Sequence, residues 1–208
     1  MKYSSTPQTP QIFDRLADEY ESRWAQYLTH THQKFLEQIH LDKDDKVLDM
    51  SCGTGLLACH LIERGDKFRE IVLNDISTKL QARAKKRFKG RDDIRFTSLP
   101  AESVDFPAET FDKIFCLSAF HNYSQQSCVL QNCRHILKPG GRMYLLDWNR
   151  SGWFRIVDLF IKIKTPEYID TRSRNEMKQK LTDHSFSIIF DREWYFNYWK
   201  FFYLIVNK

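Results

Sequence analysis

Short apolar runs alternate with longer amphipathic segments over residues 46–148, and this alternation limits the fold more than any other feature of the chain. The apolar runs read KVLDM, EIVLND, IRFTSL, DKIFCLS and RMYLLDW in chain order. Strands and helices that alternate in this way are typical of α/β proteins with a parallel sheet. The pattern predicts five parallel strands, with helices that end near Gly65, Gly90 and the Lys138-Pro139-Gly140-Gly141 turn.

Helical and β-rich segments flank this alternating part. Apolar residues recur at helical spacing over 12–27, and a second helix is predicted at about 32–39. Two helices follow residue 151, the second opened by a capping box of Ser173 and Glu176. The runs FSIIFDREWYF and KFFYLIVNK then predict a hairpin. This hairpin would add antiparallel strands to an otherwise parallel sheet, which gives seven strands in all.

Composition excludes several classes of protein. Apolar residues make up 42% and charged residues 28%, which are ordinary values for a folded domain. The leader MKYSSTPQTPQ lacks the apolar core of a signal peptide, and no window approaches the roughly 18 apolar residues of a membrane span. We therefore expect a cytoplasmic protein. The five cysteines have no zinc-binding spacing, so we expect reduced thiols and no metal.

The run KLQARAKKRFKGR at 79–91 carries seven basic residues and no acidic one. Such a run can form a basic surface that binds nucleic acid. More often it is the solvated face of a surface helix, and the net charge of +5 is mild. We favour the surface helix and expect no nucleic-acid partner.

The loop after the first predicted strand, within VLDMSCGTGLLA, contains Gly53, Gly55 and Ala58 at the spacing of a dinucleotide-binding turn. Glycines allow a tight turn and a close approach of the backbone to a ligand. Asp75 lies twenty residues beyond Gly55, at the end of the second strand, where a carboxylate can accept the hydroxyl protons of a ribose. The two features together predict a ligand that contains a nucleoside.

Asp49 indicates which kind of nucleoside-containing ligand the loop binds. A carboxylate beside a pyrophosphate would oppose it by about 1 kcal/mol at 4 Å in water, and by more in a protein interior. A ligand with cationic groups reverses the sign of this interaction. S-adenosylmethionine has an ammonium, a sulfonium and a ribose, and satisfies both aspartates.

Several motifs in order resemble one family. VLDMSCGTG, LNDIS, LPAESVDFPAETFDKIFCLSAFHNY and LKPGGRMYLLD are similar to the class I S-adenosylmethionine-dependent methyltransferases over about residues 10–150. IFDRLADEYESRW and PAESVDFPAETFD most resemble the branch that contains the ubiquinone and menaquinone C-methyltransferases. The resemblance implies a Rossmann-like three-layer sandwich in a single domain, with a helical cap (1–45), a cofactor-binding core (46–150) and substrate-side helices with a hairpin (151–208).

The resemblance also implies roles for individual residues. Five residues of the first loop would surround the methionine part of the cofactor: Asp49, Ser51, Cys52, Gly53 and Gly55. Asp75 would hold the ribose, and Leu117 would lie near the sulfonium. Ile76 would pack on the adenine, with Ala101 and Glu102 near its polar edge. The chain departs from the family pattern at Ser51, where glycine is usual, and at Pro100, where an acid is common.

Methyl transfer from a sulfonium needs mainly that the acceptor and the methyl be held close and in line. If the acceptor must lose a proton, His121 is the first candidate for a general base, although a loop histidine that only shapes the pocket has the same pattern. Tyr20 and Trp24 are candidates for a lid over the cofactor. Tyr123, Trp148 and Trp153 are candidates for the acceptor pocket. Each of these aromatic residues also fits a packing role.

The sequence leaves other functions open. A nicotinamide-dependent oxidoreductase would use the same glycines and Asp75 but is opposed by Asp49. A methyltransferase-like module that binds RNA through 79–91 without turnover is the alternative outside enzymes. The chain has no Asn/Asp-Pro-Pro-Tyr segment of the kind found in DNA amino-methyltransferases. We therefore predict a small-molecule methyltransferase, either a monomer or a homodimer.

Overall fold

The described part of the chain, residues 8–164 and 169–208 of a computed structural model, forms a seven-stranded sheet in the order β3-β2-β1-β4-β5-β7-β6. The strands are β1 (Lys46–Met50), β2 (Glu70–Asn74), β3 (Ile94–Thr97), β4 (Phe111–Leu117), β5 (Leu137–Trp148), β6 (Ser187–Phe196) and β7 (Trp199–Asn207). The first five pair in parallel, whereas β7 is antiparallel to β5 and to β6. The predicted mixed sheet and its late hairpin are confirmed.

Helices cover both faces of the sheet. They are α1 (Gln8–Leu16), α2 (Tyr20–Arg23), α3 (Ala25–Leu36), α4 (Leu56–Arg64), α5 (Thr78–Arg87), α6 (Gln126–Ile136), α7 (Phe154–Lys164) and α8 (Arg174–Asp183). Side chains alternate between the faces along each strand. Leu48 and Met50 of β1 therefore pack with α6 and α8, while Val47 packs on the other side with α3, α4 and α5. The result is the predicted three-layer sandwich.

Local signals fixed several helix ends. Gly65 ends α4 with φ 87°, a left-handed conformation that glycine adopts without strain. The Ser77 side chain caps α5 by accepting from the backbone N–H of Leu80. The Ser173 and Glu176 capping box opens α8. The predicted helix end at Gly65 and the predicted capping box are confirmed.

Two boundaries were predicted wrongly. The N-terminal helical pattern breaks after Leu16 and at Trp24, and α3 then runs without interruption through Tyr27 and His32. β5 begins at Leu137, five residues earlier than predicted, and the register with β4 shifts between Phe111 and Lys113. The predicted turn at 138–141 is thus an irregularity within a strand. Most of the polar leader lies outside the described residues.

The strand order reverses between β1 and β4. β2 and β3 continue from β1 on one side of this point, and β5 continues from β4 on the other side. In an open α/β sheet the loops that follow the two central strands separate there and leave a crevice. Residues 51–55 and 118–123 follow β1 and β4 and form its two sides. In the described ranges, the structure has no helix with the length and apolar character needed to cross a membrane.

Candidate functional site

A cavity of about 290 Å³ lies at the carboxyl ends of β1, β2, β4 and β5. Its walls include most of the residues that the sequence singled out: Tyr20, Trp24, Ser51, Gly53, Asp75, Ile76, Ala101, Glu102, Leu117, His121, Tyr123 and Trp148. The topology brings these side chains together although they span more than half of the chain. Gly55 and Trp153 are not among the lining residues, and Asp49 and Cys52 line a neighbouring cavity.

The neighbouring cavity is small, about 40 Å³, and shares five lining residues with the larger one: Tyr20, Ser51, Gly53, Leu117 and Ser118. Asp49 and Cys52 line it from the β1 loop, and Thr31 and His32 line it from α3. The two cavities are therefore adjacent parts of one site. No pattern in the sequence indicates that α3 contributes His32 to the site.

Asp49 is buried at the end of β1, and its Oδ2 atom has no hydrogen-bond partner among the described residues. Burial, reinforced by the nearby charge of Asp75, raises the pKa of Asp49 to about 8. A buried carboxyl without a partner is costly unless a ligand pairs with it. Nδ1 of His32 is also buried and unpartnered in this part of the structure, and burial lowers the pKa of His32 to about 3. Two unsatisfied polar groups thus face the small cavity.

Asp75 fixes the conformation of the glycine loop. Its Oδ2 accepts the backbone N–H of Gly53 at 2.7 Å, and its Oδ1 accepts that of Ser77 at 2.8 Å. Burial raises the pKa of Asp75 to about 6, although these two hydrogen bonds oppose the rise. The carboxylate lines the larger cavity and keeps further acceptor capacity, because each carboxylate oxygen can accept more than one hydrogen bond.

Gly55 has a packing role in the structure. Its φ is 75°, and a Cβ at this position would lie 2.7 Å from Cε2 of Phe88. The residue lets α4 start close to α5, and it does not line the cavity. Gly55 therefore packs within the protein, and its contact with the cofactor stays a prediction of the sequence.

Two serines with positive φ border the crevice, one after each central strand. Ser51 has φ 60° and Ser118 has φ 53°, a region that residues other than glycine seldom adopt. A tyrosine holds each of them: Ser51 Oγ lies 2.9 Å from the Tyr123 hydroxyl, and the Tyr27 hydroxyl donates to Ser118 Oγ at 2.8 Å. The departure at Ser51 therefore keeps a glycine-like backbone and adds a side-chain hydrogen bond.

His121 is held by a buried carboxylate at the wall of the cavity. Its Nδ1 lies 2.5 Å from Oδ1 of Asp147, and its backbone N–H donates to Oδ2 at 2.9 Å. The ring stacks on Trp148 with centroids 4.0 Å apart. If Asp147 accepts a proton from Nδ1, the other ring nitrogen, Nε2, is the proton acceptor that remains. The sequence placed Asp147 at the end of β5 but did not assign it this role.

The adenine end of the predicted site contains Ile76, Ala101 and Glu102. One oxygen of Glu102 is engaged within the protein, because Oε1 accepts from the backbone N–H and the hydroxyl of Ser124 at 2.9 and 3.0 Å. This carboxylate therefore ties the loop after β3 to the start of α6. Only its remaining acceptor capacity is free for a ligand.

The basic helix α5 holds the N-terminal helices over the cavity. Arg83 pairs with Asp18 at 2.5 Å, and Arg87 pairs with Glu21 at 2.7 Å while also donating to the carbonyl of Thr54. Tyr20 and Trp24, carried by the same N-terminal segment, line the cavity. The run at 79–91 is thus partly neutralised within the protein, which reduces its value as a surface for nucleic acid.

The structure places Trp153 away from the other candidates for the acceptor pocket. It lies just before α7 with 62% of its surface exposed, and it is absent from the cavity lining. Trp148 and Trp199, which pack against each other at 4.7 Å, provide the aromatic wall instead. Sequence reasoning missed Trp199 because the hairpin pattern explained it as strand packing.

Comparison with known proteins agrees with this geometry. Residues 48–145 match a family described as a methyltransferase domain. Over 140 residues the chain is 34% identical to the demethylmenaquinone methyltransferase of Thermotoga maritima, which covers 65% of this chain and 59% of that protein. Over these residues the chain is similar to methyltransferases.

A second curated protein and a solved structure are also similar to the chain. A ubiquinone/menaquinone biosynthesis C-methyltransferase of Neisseria gonorrhoeae is 30% identical over 128 residues, which cover 61% of this chain and 49% of that protein. A solved S-adenosylmethionine-dependent methyltransferase of Aquifex aeolicus has the same fold, with a TM-score of 0.69, 19% identity and 99% coverage of both chains. The matches span about half to three fifths of the length of the two curated relatives.

The residues of the site fit S-adenosylmethionine, the cofactor of the methyltransferases that the chain resembles. The unpartnered oxygen of Asp49 faces a small cavity where an ammonium would satisfy it. Asp75 and Ile76 border the adjoining larger cavity, where a nucleoside would lie. A pyrophosphate in the same place would lie beside two buried carboxyl groups, Asp49 and Asp75, which disfavour its negative charge. The residues of the site therefore fit the cationic S-adenosylmethionine better than a dinucleotide.

Proposed function

We propose that the protein transfers a methyl group from S-adenosylmethionine to a small aromatic acceptor. One observation carries the proposal: the cavity that adjoins Asp49 at one side also contains a histidine held by a buried carboxylate. Candidate cofactor-binding groups and a candidate base thus line adjacent parts of one site. The location in the cytoplasm, the division into one domain with three parts, and the oligomeric state stay predictions of the sequence.

The cofactor would be held at three points. Asp49 would pair with the ammonium in the small cavity, Asp75 would accept from the ribose hydroxyls, and Ile76 would pack against the adenine. When bound, S-adenosylmethionine supplies an electrophilic methyl group on a sulfonium. Leu117, at the end of β4 and shared by both cavities, would contact the region of that sulfonium.

His121 and Asp147 would supply the proton chemistry. As the acceptor atom forms its bond to the methyl carbon, the bond from that carbon to sulfur breaks, and the acceptor gives up a proton. Nε2 of His121 would receive it, while Asp147 would hold the ring orientation and stabilise the imidazolium. Both groups are buried.

Aromatic side chains favour a planar acceptor. Trp24, Tyr27, Trp148 and Trp199 line the same cavity as His121, and rings of this kind bind flat apolar ligands by stacked or edge contacts. The curated relatives from Thermotoga maritima and Neisseria gonorrhoeae are named for methylation of quinone precursors. A hydroxylated aromatic ring, activated when its hydroxyl proton passes to His121, is therefore the acceptor class that we propose.

The test is transfer of labelled methyl from S-adenosylmethionine to a panel of small molecules and to RNA. We expect label in hydroxylated naphthalenes or benzenes, little label in aliphatic amines and thiols, and none in RNA. His121→Gln should lose most of the transfer, whereas His40→Gln, an exposed control, should retain it. Transfer to RNA alone, or equal activity of the two variants, would contradict the proposal.

A further inference from the structure

Helix α7 has an inner face that packs on the protein and an outer face that is apolar and exposed. Phe154 and Asp158 of the inner face are buried, and Ile161 lines the larger cavity. The outer face is formed by Trp153 just before the helix and by four helix residues, with exposures of 62% for Trp153, 45% for Ile156, 58% for Leu159, 61% for Phe160 and 68% for Ile163. These are five of the eight large hydrophobic side chains exposed in the described residues.

The outer face is a continuous stripe. At about 100° per residue, its five members fall within roughly one third of the helix circumference. An apolar stripe on a helix ordinarily packs on the core, but here that role belongs to the inner face. A contiguous exposed apolar patch on a folded protein usually marks a binding surface.

The borders of the stripe are basic. At the same angular spacing, Arg155 and Lys162 lie along one side and Lys164 along the other. Asp158, the only acidic residue in the α7 sequence, is buried and pairs with Lys162 at 2.9 Å. The outer face therefore offers no negative charge to a partner. An apolar stripe bordered by Lys and Arg is typical of helices that lie in the surface of a membrane.

The tip of the β6–β7 hairpin extends this surface. Tyr195 and Tyr198 are each 53% exposed. The hydroxyl of Tyr195 lies 2.8 Å from the position that a Cβ would take at Gly152, just before α7, so the hairpin tip lies next to the start of the helix. Tyrosine and tryptophan are favoured at the boundary between lipid and water because each has an apolar ring and a polar atom.

We propose that the outer face of α7, with the hairpin tip, docks on an anionic phospholipid surface. The apolar stripe would enter the lipid to the depth of the headgroups, and Arg155 and Lys164 would contact lipid phosphates. Because Ile161 of the same helix lines the larger cavity, docking would place that cavity next to the bilayer. An apolar acceptor could then enter the site without crossing water. The inference stands apart from the proposed reaction.

A second copy of the chain fits this face less well. A symmetric dimer places the same patch of each subunit against itself, which brings the basic borders of the two copies together. These borders have no acid on the outer face to pair with. Anionic lipid headgroups supply that missing charge, so the lipid surface is the better complement.

The test is flotation of the full-length protein with vesicles of phosphatidylcholine alone and of phosphatidylcholine with phosphatidylglycerol at 7:3, without cofactor or acceptor. We expect most of the protein to float with the anionic vesicles, little with the neutral ones, and less as salt is raised. The double variant Leu159→Ser/Phe160→Ser should lower the partition coefficient at least tenfold. Ile189→Ser, which removes an exposed apolar residue on β6, should leave it unchanged.

Several results would overturn the proposal. The first is no flotation of the wild-type protein with either kind of vesicle, and the second is an equal loss of flotation in the α7 and Ile189 variants. The third is a wild-type protein that binds no vesicles but is a dimer by light scattering, with the α7 variant a monomer. Thermal unfolding of each variant shows that loss of binding does not reflect loss of the fold. Since the assay contains no methyl donor or acceptor, its failure leaves the proposed reaction untouched.

Discussion

Replacing Asp49 with asparagine should make the ligand-free protein more stable and at the same time weaken cofactor binding. Burial raises the pKa of Asp49 from 3.8 to about 8, so the folded protein holds this carboxyl protonated at neutral pH while the unfolded chain ionises it. A raised pKa stabilises the folded protein fully when the pH is below the pKa of the group in the unfolded chain. This stabilisation is lost as the pH rises toward the pKa of the group in the folded protein. The wild-type protein should therefore lose stability between about pH 4 and pH 8.

The size of the effect follows from the two pKa values. One pKa unit corresponds to about 1.4 kcal/mol, and pH 7 lies three units above the ordinary value of 3.8, so the upper bound at pH 7 is on the order of 4 kcal/mol. Asparagine has the same shape and does not titrate. Its advantage should grow with pH and then level off near pH 8. For a chain of this length each kcal/mol corresponds to a few degrees in melting temperature.

The assay is differential scanning calorimetry of wild type, Asp49→Asn and the exposed control Asp105→Asn from pH 5 to pH 9, without ligand. We expect the Asp49 variant to melt higher, with a difference that widens up to about pH 8, and the control to follow wild type. Titration with S-adenosylhomocysteine should show the opposite order, with at least tenfold weaker binding by Asp49→Asn. A variant that melts lower than wild type at pH 7, or a difference independent of pH, would refute the reasoning.

Other contacts lead to further predictions. His121→Gln and Asp147→Asn should each lower kcat about a hundredfold or more, with little change in the affinity for S-adenosylhomocysteine measured by calorimetry, because both act on the acceptor proton; a loss confined to affinity would refute this. Ser51→Ala should be less stable than Ser51→Gly by about 1 kcal/mol in urea unfolding, because both lose the hydroxyl but only glycine accepts φ 60° without strain; equal midpoints would contradict it. Arg87→Gln should speed release of S-adenosylhomocysteine several-fold in stopped-flow fluorescence, because the ion pair with Glu21 links α5 to the N-terminal helices. The pair is partly exposed, so the free energy of unfolding should change by less than about 1 kcal/mol. An unchanged release rate would show that these helices do not act as a lid.

The sheet could be predicted from sequence because its strands are buried and uniform. In β1 and β2 four of five residues are buried, so each reads as a short apolar run. The N-terminal helices could not be divided correctly, because the break after Leu16 depends on contacts of α1 with α5. Asp14 there accepts from Ser77 and Lys79, more than sixty residues away in sequence.

Part of the site could be predicted because the sheet could be predicted. Topology alone brings the ends of β1, β2 and β4 together, and this locates Asp49, Asp75 and His121. Pairings between side chains did not follow from sequence, since they depend on packing between distant segments. Tyr27 and Ser118, for example, lie 91 residues apart. The pairing of His121 with Asp147 is the more predictable one. β4 and β5 are neighbouring parallel strands, His121 follows β4, and Asp147 lies at the end of β5.

Gly55 and Trp153 lie outside the cavity lining, and their contacts with ligands stay predictions. Both were selected by motif or residue type, which does not distinguish a residue that contacts a ligand from one that packs or faces solvent. A Cβ at position 55 would collide with Phe88, a contact that no local pattern reveals. Trp153 belongs to the exposed stripe of α7, where its ring suits a lipid surface better than a closed pocket.

Calorimetric titration of the wild-type protein with S-adenosylhomocysteine and with NADH distinguishes the two candidate cofactors. We expect micromolar or tighter binding of S-adenosylhomocysteine, no binding of NADH, and weakened binding by Asp49→Asn and Asp75→Asn but not by Asp105→Asn. Binding of NADH with none of the adenosyl compound, or full binding by the Asp49 variant, would contradict the assignment of the buried carboxyl to a cationic ligand.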